Sequence, residues 1–542
     1  MSKSTDEATS VISESTKGAS SLILVQIITK LFTFLLNQLL IRYVSPNSFG
    51  LATYLEFLNS TILFFSREGE RLAIQRIKPS KDTTRTFQSV INFGFLSLAV
   101  GVPIMLCIGY WQWHTTTFQE SLLVLPFHNW TITLISGSIL VELLIEPVYA
   151  LYQFQLDFGK RSKFEGLAIF TRCVTTFVSV LFSSKYVDEF EGAAVASFAV
   201  GQFAYSFTLF VSYALAFASF NKVNNAHTKY SLYKLRDGDK SYYFDSEVFN
   251  IYKGFFIQMI FKQLLTEGDK LLINYLFNVD QQGVYAVITN YGSIIARLLF
   301  NPLEESTRLL FSRLLSSSSD TSKQSFTYLK LISVFYLNFC ILVLFAGISN
   351  GSYLLQFILR GKWTSTNVFQ LFQQYIAYIP FLAFNGILEA IFTSMANNQD
   401  MKKFSTFMTV ITVVILLTSY LLIEQLEMGL SGLILANVIN MSLRIAYCYQ
   451  QIQTYYARHG IHFNLINIVK STSRAIGSAL VLVIVQYLLV FKGVGFTTKN
   501  FTQLVYSALL SVVLLVVLAW LERRTLKGPV LDLVSRFKRK SD

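Results

Sequence analysis

The chain alternates between apolar blocks of 20 residues or more and short polar breaks. Fourteen blocks begin near Ala19, Phe49, Phe87, Pro126, Lys163, Ala193, Asn250, Gly283, Thr327, Val368, Phe404, Gly429, Ser471 and Phe501. A block of that length crosses the ~30 Å of hydrocarbon as a helix. Period-two alternation is missing, and lipid-exposed backbone must satisfy its own hydrogen bonds. The pattern therefore predicts an all-α polytopic membrane protein with about 14 transmembrane helices.

The longest break is NKVNNAHTKYSLYKLRDGDKSYYFDSE, from Asn221 to Glu247. It divides the array into a tail over 1–18, a six-helix lobe over 19–220, an inter-lobe loop over 221–249 and a second six-helix lobe over 250–454. Two additional helices over 455–522 and a basic tail over 523–542 follow. A weak repeat supports the division. LLIRYVSPNSFGLATY (39–54) and LLINYLFNVDQQGVYAV (271–287) each end a span, turn, and start the next span after a Gly. Six spans separate the copies, so both have one orientation. That implies two pseudo-symmetric parallel bundles, with the substrate site between the halves near the midplane.

Composition agrees. Hydrophobic residues make up 53% of the 542 and charged residues 14%, against about a quarter in soluble proteins; mean hydropathy is +0.47. The net charge of +13 suggests nucleic acid less than basic loops on one membrane face. Tails and loops on the side of the termini hold 27 Lys and Arg, those on the other side five. The positive-inside rule then makes both termini cytosolic. Sequons at Asn129, Asn350 and Asn500 fall in or beside the opposite, lumenal loops. The N-terminal MSKSTDEATSVISESTKG lacks the basic start and apolar core of a cleavable signal peptide. Cys107, Cys173, Cys340 and Cys448 lie in apolar blocks and outline no disulfide framework.

Charges inside the spans carry the chemistry, because a lone charge at the bilayer centre costs about 2.5–3.5 kcal/mol on insertion scales. At helical spacing, Gln26, Lys30, Thr33 and Asn37 share one face of span one. Glu56, Ser60, Arg67 and Arg71 share one of span two. Lys262, Thr266 and Asp269 line span seven, and Arg297, Asn301, Glu304 and Arg308 line span eight, which Pro302 bends. Asn437, Asn440 and Arg444 line span twelve. Two readings follow. The bases can pair with the acids of the spans, Glu56, Glu142, Glu146, Glu267, Asp269, Glu304, Glu305 and Glu389, and hold helices together. Alternatively Arg42, Arg67, Arg297 and Arg444 wall a hydrated cavity, where guanidinium forks grip a diphosphate. Lys30, Asn37, Lys262, Glu267, Asp269, Glu304 and Glu305 would form its supporting network. No P-loop, clustered Cys/His metal site or catalytic constellation is visible, so neither a cofactor nor enzymatic chemistry is expected.

FLNSTILFFSREGERLA (57–73), TEGDKLLINY (266–275), ARLLFNPLEES (296–306) and LLNQLLIRYVS (35–45) resemble the Rft family of endoplasmic-reticulum membrane proteins. The resemblance covers nearly the whole chain, and NPLEES is its most specific part. It implies a fold like that of the multidrug, oligosaccharidyl-lipid and polysaccharide exporter superfamily, which includes the lipid II flippase. It implies residence in the endoplasmic-reticulum membrane and a flippase role in N-glycosylation. The cargo would be a dolichol-diphosphate-linked oligosaccharide, moved from the cytosolic to the lumenal leaflet. The family pattern places bases at Arg42, Arg67, Arg297 and Arg444 and acids at Glu304 and Glu305. The implied partners are that lipid, membrane lipids and the glycosylation machinery, with no nucleic acid. Two alternatives stay open: a non-transporting accessory protein, and an ion-coupled antiporter of the same fold, which would want unpaired carboxylates where arginines compete.

Overall fold

The structure, a computed structural model, describes residues 32–523 apart from 34, 78–81, 156, 224–226, 238–239, 317–320 and 360. It is helical apart from one short hairpin, and its contacts divide it into two compact units, one ending at Gly283 and the other starting at Val284. The first holds α1 (Pro46–Ile74), α2 (Thr83–Trp113), α3 (His128–Phe154), α4 (Phe158–Tyr186) and α5 (Phe190–Val223). Strands β1 (Leu235–Asp237) and β2 (Lys240–Tyr242), α6 (Ser246–Leu276) and the start of α7 (Val279–Ile295) complete it. The second holds the rest of α7, a widened turn at Ala296–Phe300, α8 (Asn301–Ser316), α9 (Thr321–Ile358), α10 (Val368–Met395) and α11 (Asn398–Tyr420). Then come α12 (Gly429–Arg458), α13 (Leu465–Ser471), α14 (Ser473–Val485) and α15 (Phe501–Leu521).

Helix starts coincide with the polar breaks because those breaks supply acceptors for unpaired N–H groups. Ser45 Oγ accepts from Ser48 N, with Pro46 in the first turn of α1. Asp82 caps α2, Asp245 caps α6, and Asn397 with Asp400 forms a capping box on α11. Eleven helical segments among the described residues are long and apolar enough to cross a membrane, with α7 and α8 counted as one run. Helices α1 and α6 are also long, at 29 and 31 residues. They fall short on apolarity because α1 carries Glu56, Arg67, Glu68, Glu70 and Arg71, and α6 carries Lys262, Glu267, Asp269 and Lys270. The first predicted span lies mostly outside the described residues.

The core of the first unit sits where α1, α2, α3, α5 and α6 converge on Ile74, Phe93, Leu151, Tyr152, Tyr213 and Tyr252. In the second, α14 and α15 pack on α9 through Phe345, Ala475, Ala479, Leu514 and Leu518. Asn350 is buried within α9, where its Oδ1 accepts from Thr498 Oγ1 at 2.8 Å. That sequon is a structural bond rather than an open acceptor. Asn129 is exposed in the first turn of α3, and Asn500 caps α15.

The residues expected to connect the halves fold into the first unit. Two amide side chains of α2 hold them as a neighbouring strand would. Gln88 Nε2 donates to the carbonyls of Lys229 (3.1 Å) and Ser231 (3.0 Å), while its Oε1 accepts from Lys229 N at 2.8 Å. Asn92 Nδ2 donates to the carbonyls of Tyr233 (2.7 Å) and Tyr243 (2.8 Å), and its Oδ1 accepts from Tyr233 N at 3.0 Å. Both amides are buried, Asn92 completely.

The two glycines of the sequence repeat meet within this unit. A Cβ on Gly50 would lie 2.0 Å from the Val279 carbonyl oxygen, and one on Gly283 would lie 2.0 Å from that of Pro46. Pro46 and Val279 each precede their glycine by four residues, so the contact is reciprocal. Neither backbone has room for a side chain. Replacing Gly50 with Leu is expected to destabilise the protein by about 1–3 kcal/mol or more through overpacking. Melting of detergent-purified protein, followed by size-exclusion fluorescence, checks this; a wild-type melting point would mean the crossing tolerates a side chain.

Candidate functional site

The polar faces seen in the sequence resolve into two charged clusters, one within each unit. In the first unit, α1 and α3 each present charges four residues apart. Arg67 Nη1 meets Glu142 Oε2 at 3.1 Å. One turn on, Arg71 forms a two-pronged bond with Glu146, its Nη2 lying 2.9 Å from Oε2 and its Nε on Oε1. The acids are almost fully buried, and Arg67 keeps a quarter of its side chain exposed. Burial at that depth demands saturation of the carboxylates. Gln202 and Ser206 of α5 accordingly donate to Glu142 Oε1 at 3.2 and 2.9 Å. The Arg71 guanidinium also lies 3.9 Å from the centre of the Tyr149 ring, with Arg161 at 4.5 Å from the same ring. Arg172 of α4 pairs with Glu56 at 3.1 Å. Glu70, fully buried on α1, takes a hydrogen bond from Ser97 Oγ, and its Oε1 has no hydrogen-bond partner among the described residues.

Arg67, Arg71, Glu142, Glu146, Glu165, Tyr149 and Tyr205 line a pocket of about 50 Å³. That is room for a few waters, not a diphosphate. Three carboxylates against two guanidiniums also give it no surplus of positive charge.

In the second unit, Arg444 of α12 meets Glu389 of α10 at 2.6 Å, both partly buried. Glu304 of α8 lies over Gly386, where a Cβ would sit 1.8 Å from its Oε1; only glycine leaves space for the carboxylate. Upstream, the backbone widens to a π turn at Ala296–Phe300. Pro302 follows and lacks the N–H that would continue the ladder, so the hydrogen-bond pattern is interrupted twice in succession. The turn presents Arg297 outward, with Nη2 donating to the Asn290 carbonyl at 2.8 Å and to Asn290 Oδ1 at 3.1 Å. Asn437 Nδ2 donates to Tyr285 Oη at 3.2 Å.

Of the expected site residues, Arg67 and Arg444 each lean on a carboxylate of their own unit, and Arg42 and Arg297 are exposed. Asn37 and Glu305 are exposed as well. Glu267 pairs with Lys270 at 2.7 Å, an i,i+3 bond along α6. Lys30 and the side chains of Lys262 and Asp269 lie outside the described residues. Sequence reasoning noted Arg71, Glu142 and Glu146 only as members of polar faces or lists of acids. Their signal was present: Arg67 and Arg71 on one helix match Glu142 and Glu146 on another, both at i,i+4.

A family model described as Rft protein matches residues 14–530. A Candida albicans protein named Man(5)GlcNAc(2)-PP-dolichol translocation protein RFT1 is 49% identical over 543 residues, 96% of each chain. Its namesake from Saccharomyces cerevisiae is 39% identical over 81% of this chain and 82% of its own. Among solved structures, the lipid II flippase MurJ in an inward closed conformation superposes with a TM-score of 0.57. That match covers 92% of this chain and 99% of the flippase at 14% identity, which shows a shared fold.

The pairing generates a thermodynamic expectation. Replacing Arg67 with Ala leaves Glu142 buried without its counter-charge, a loss of about 3–5 kcal/mol. Adding Glu142→Gln removes the orphaned charge and should restore most of the melting temperature. An Arg67→Ala protein as stable as wild type would mean the pair does not hold α1 to α3.

Proposed function

The chain belongs to the Rft family, and from that premise we propose that it is a flippase for a dolichol-diphosphate-linked oligosaccharide. It moves this lipid from the cytosolic to the lumenal leaflet of the endoplasmic-reticulum membrane, with both termini cytosolic, and does no covalent chemistry. The observation that carries the reading is end-to-end similarity to relatives named as translocation proteins for that lipid, at up to 49% identity among those compared. A polytopic fold shared with a lipid flippase supports it.

The structure refines the roles within this reading. Arg297 is exposed and turned outward by a widened helical turn, and Asn290 holds one edge of its fork. It is suited to grip phosphate oxygens. Arg42 is exposed at the end of its helical stretch and serves the same purpose. Arg67 and Arg444 act beside their carboxylates, holding helices in register.

The test is reconstitution. Purified protein in liposomes should speed the appearance of the labelled lipid on the far leaflet, beside a working control flippase. Arg297→Ala should accumulate normally and flip about tenfold or more slowly, the effect of losing a charged hydrogen bond to phosphate. Tight lipid binding without any acceleration would replace this reading with the accessory one. A wild-type rate in Arg297→Ala would remove that residue from the site.

A further inference from the structure

Beside the small charged pocket of the first unit lies a larger apolar crevice of about 270 Å³, and the two share Ile145 and Tyr213 as a wall. Leu144 and Val148 of α3 form one side and Phe210, Ala214 and Phe217 of α5 the other. Tyr230, from the inter-lobe segment, closes the third. Leu144, Phe210, Ala214 and Tyr230 are exposed, so the crevice is reached from outside the helices. Both helices are long and apolar enough to cross a membrane.

Tyr230 does not stand there by chance. Pro147 sits inside α3 and cannot donate to the Leu143 carbonyl. Gly94 of α2 presses on this proline, where a Cβ would lie 2.3 Å from Pro147 Cα. On the disturbed turn, the neighbouring Leu144 carbonyl accepts a hydrogen bond from Tyr230 Oη. Gln88 and Asn92 fix the backbone on either side of Tyr230, at Lys229, Ser231 and Tyr233. The inter-lobe segment is thereby a built wall of the crevice.

We propose that this crevice binds the isoprenoid chain of the transported lipid, near its phosphate end. The proposal rests on the flippase reading given above. An apolar cavity of ~150 Å³ accepts a benzene-sized ligand. At about 270 Å³ this one takes one or two branched five-carbon units and leaves the rest of the chain in the bilayer. The shared wall explains which units. A chain seated between α3 and α5 meets Ile145 and Tyr213, and on the other side of that wall lies the charged pocket with the partly exposed Arg67. The pocket's interior stays with Glu142 and Glu146.

The experiment is photolabelling of the full chain in phosphatidylcholine liposomes. One probe is a polyprenyl diphosphate with a diazirine near its phosphate end; the comparison probe is a phosphatidylcholine with a diazirine on its acyl chain. The polyprenyl probe should mark peptides spanning residues 205–230, and unlabelled dolichyl phosphate should compete it away. Ala214→Trp fills the crevice from an exposed position and should cut the labelling by about tenfold or more. Leu215→Trp, one residue on and not lining the crevice, should leave it unchanged; size-exclusion profiles show that both variants fold. Equal, uncompeted labelling by the phosphatidylcholine probe would show a bulk-lipid site and overturn the proposal, as would undiminished labelling in Ala214→Trp. Flipping measured in the same vesicles separates the two claims. Transport without crevice labelling sinks this inference alone, and competed labelling without transport sinks the flippase reading while the isoprenoid site stands.

Discussion

Several charges carried by the spans of this chain are offset by opposite charges within the same packed unit, and those pairs tie together the helices that carry them. Arg67 and Arg71 bring α1 against α3 because Glu142 and Glu146 wait there at the same spacing. Gln202 and Ser206 bring α5 to the same carboxylates. In the second unit the Arg444–Glu389 pair joins α12 to α10. Apolar packing alone selects poorly among helices in lipid, since every face is equally greasy. Buried charge pairs select strongly, because any other pairing strands an ion.

The same accounting governs the uncharged polar groups. The inter-lobe segment is mostly exposed, yet backbone donors and acceptors along it are met by side chains of the first unit. The amides of Gln88 and Asn92 each offer a donor and an acceptor, and they satisfy Lys229, Ser231, Tyr233 and Tyr243. A proline-disturbed turn in α3 supplies a carbonyl for Tyr230.

How much of this was legible beforehand depended on the range of the interaction. Spans are local, so blocks of hydrophobicity revealed them; the caps Ser45, Asp82 and Asp245 are equally local but went unread. Gly50 and Gly283 stood out through their repeat, although their reciprocal contact is tertiary. The polar faces of α1 and α12 were visible from spacing, yet spacing on one helix cannot name a partner on another. Arg67 therefore read equally well as a phosphate ligand or as half of a salt bridge. Gln88 and Asn92 passed as ordinary polar residues in a greasy stretch, because their partners lie over 130 residues away. A segment rich in Lys, Asn and Tyr resembles a linker unless those partners are known.

Paired arginines suit a carrier better than isolated ones under the proposed function. An unpaired guanidinium in a low-dielectric site is costly to maintain. A carboxylate beside the arginine offsets that cost, and the buried carboxylate in turn depends on the arginine. Arg67 is the more accessible of the two on α1: one nitrogen meets Glu142, a quarter of its side chain is exposed, and Gln202 and Ser206 donate to the other oxygen of Glu142. Arg71, bound at two points to a nearly inaccessible Glu146 and stacked on Tyr149, is the more enclosed and ties α1 to α3.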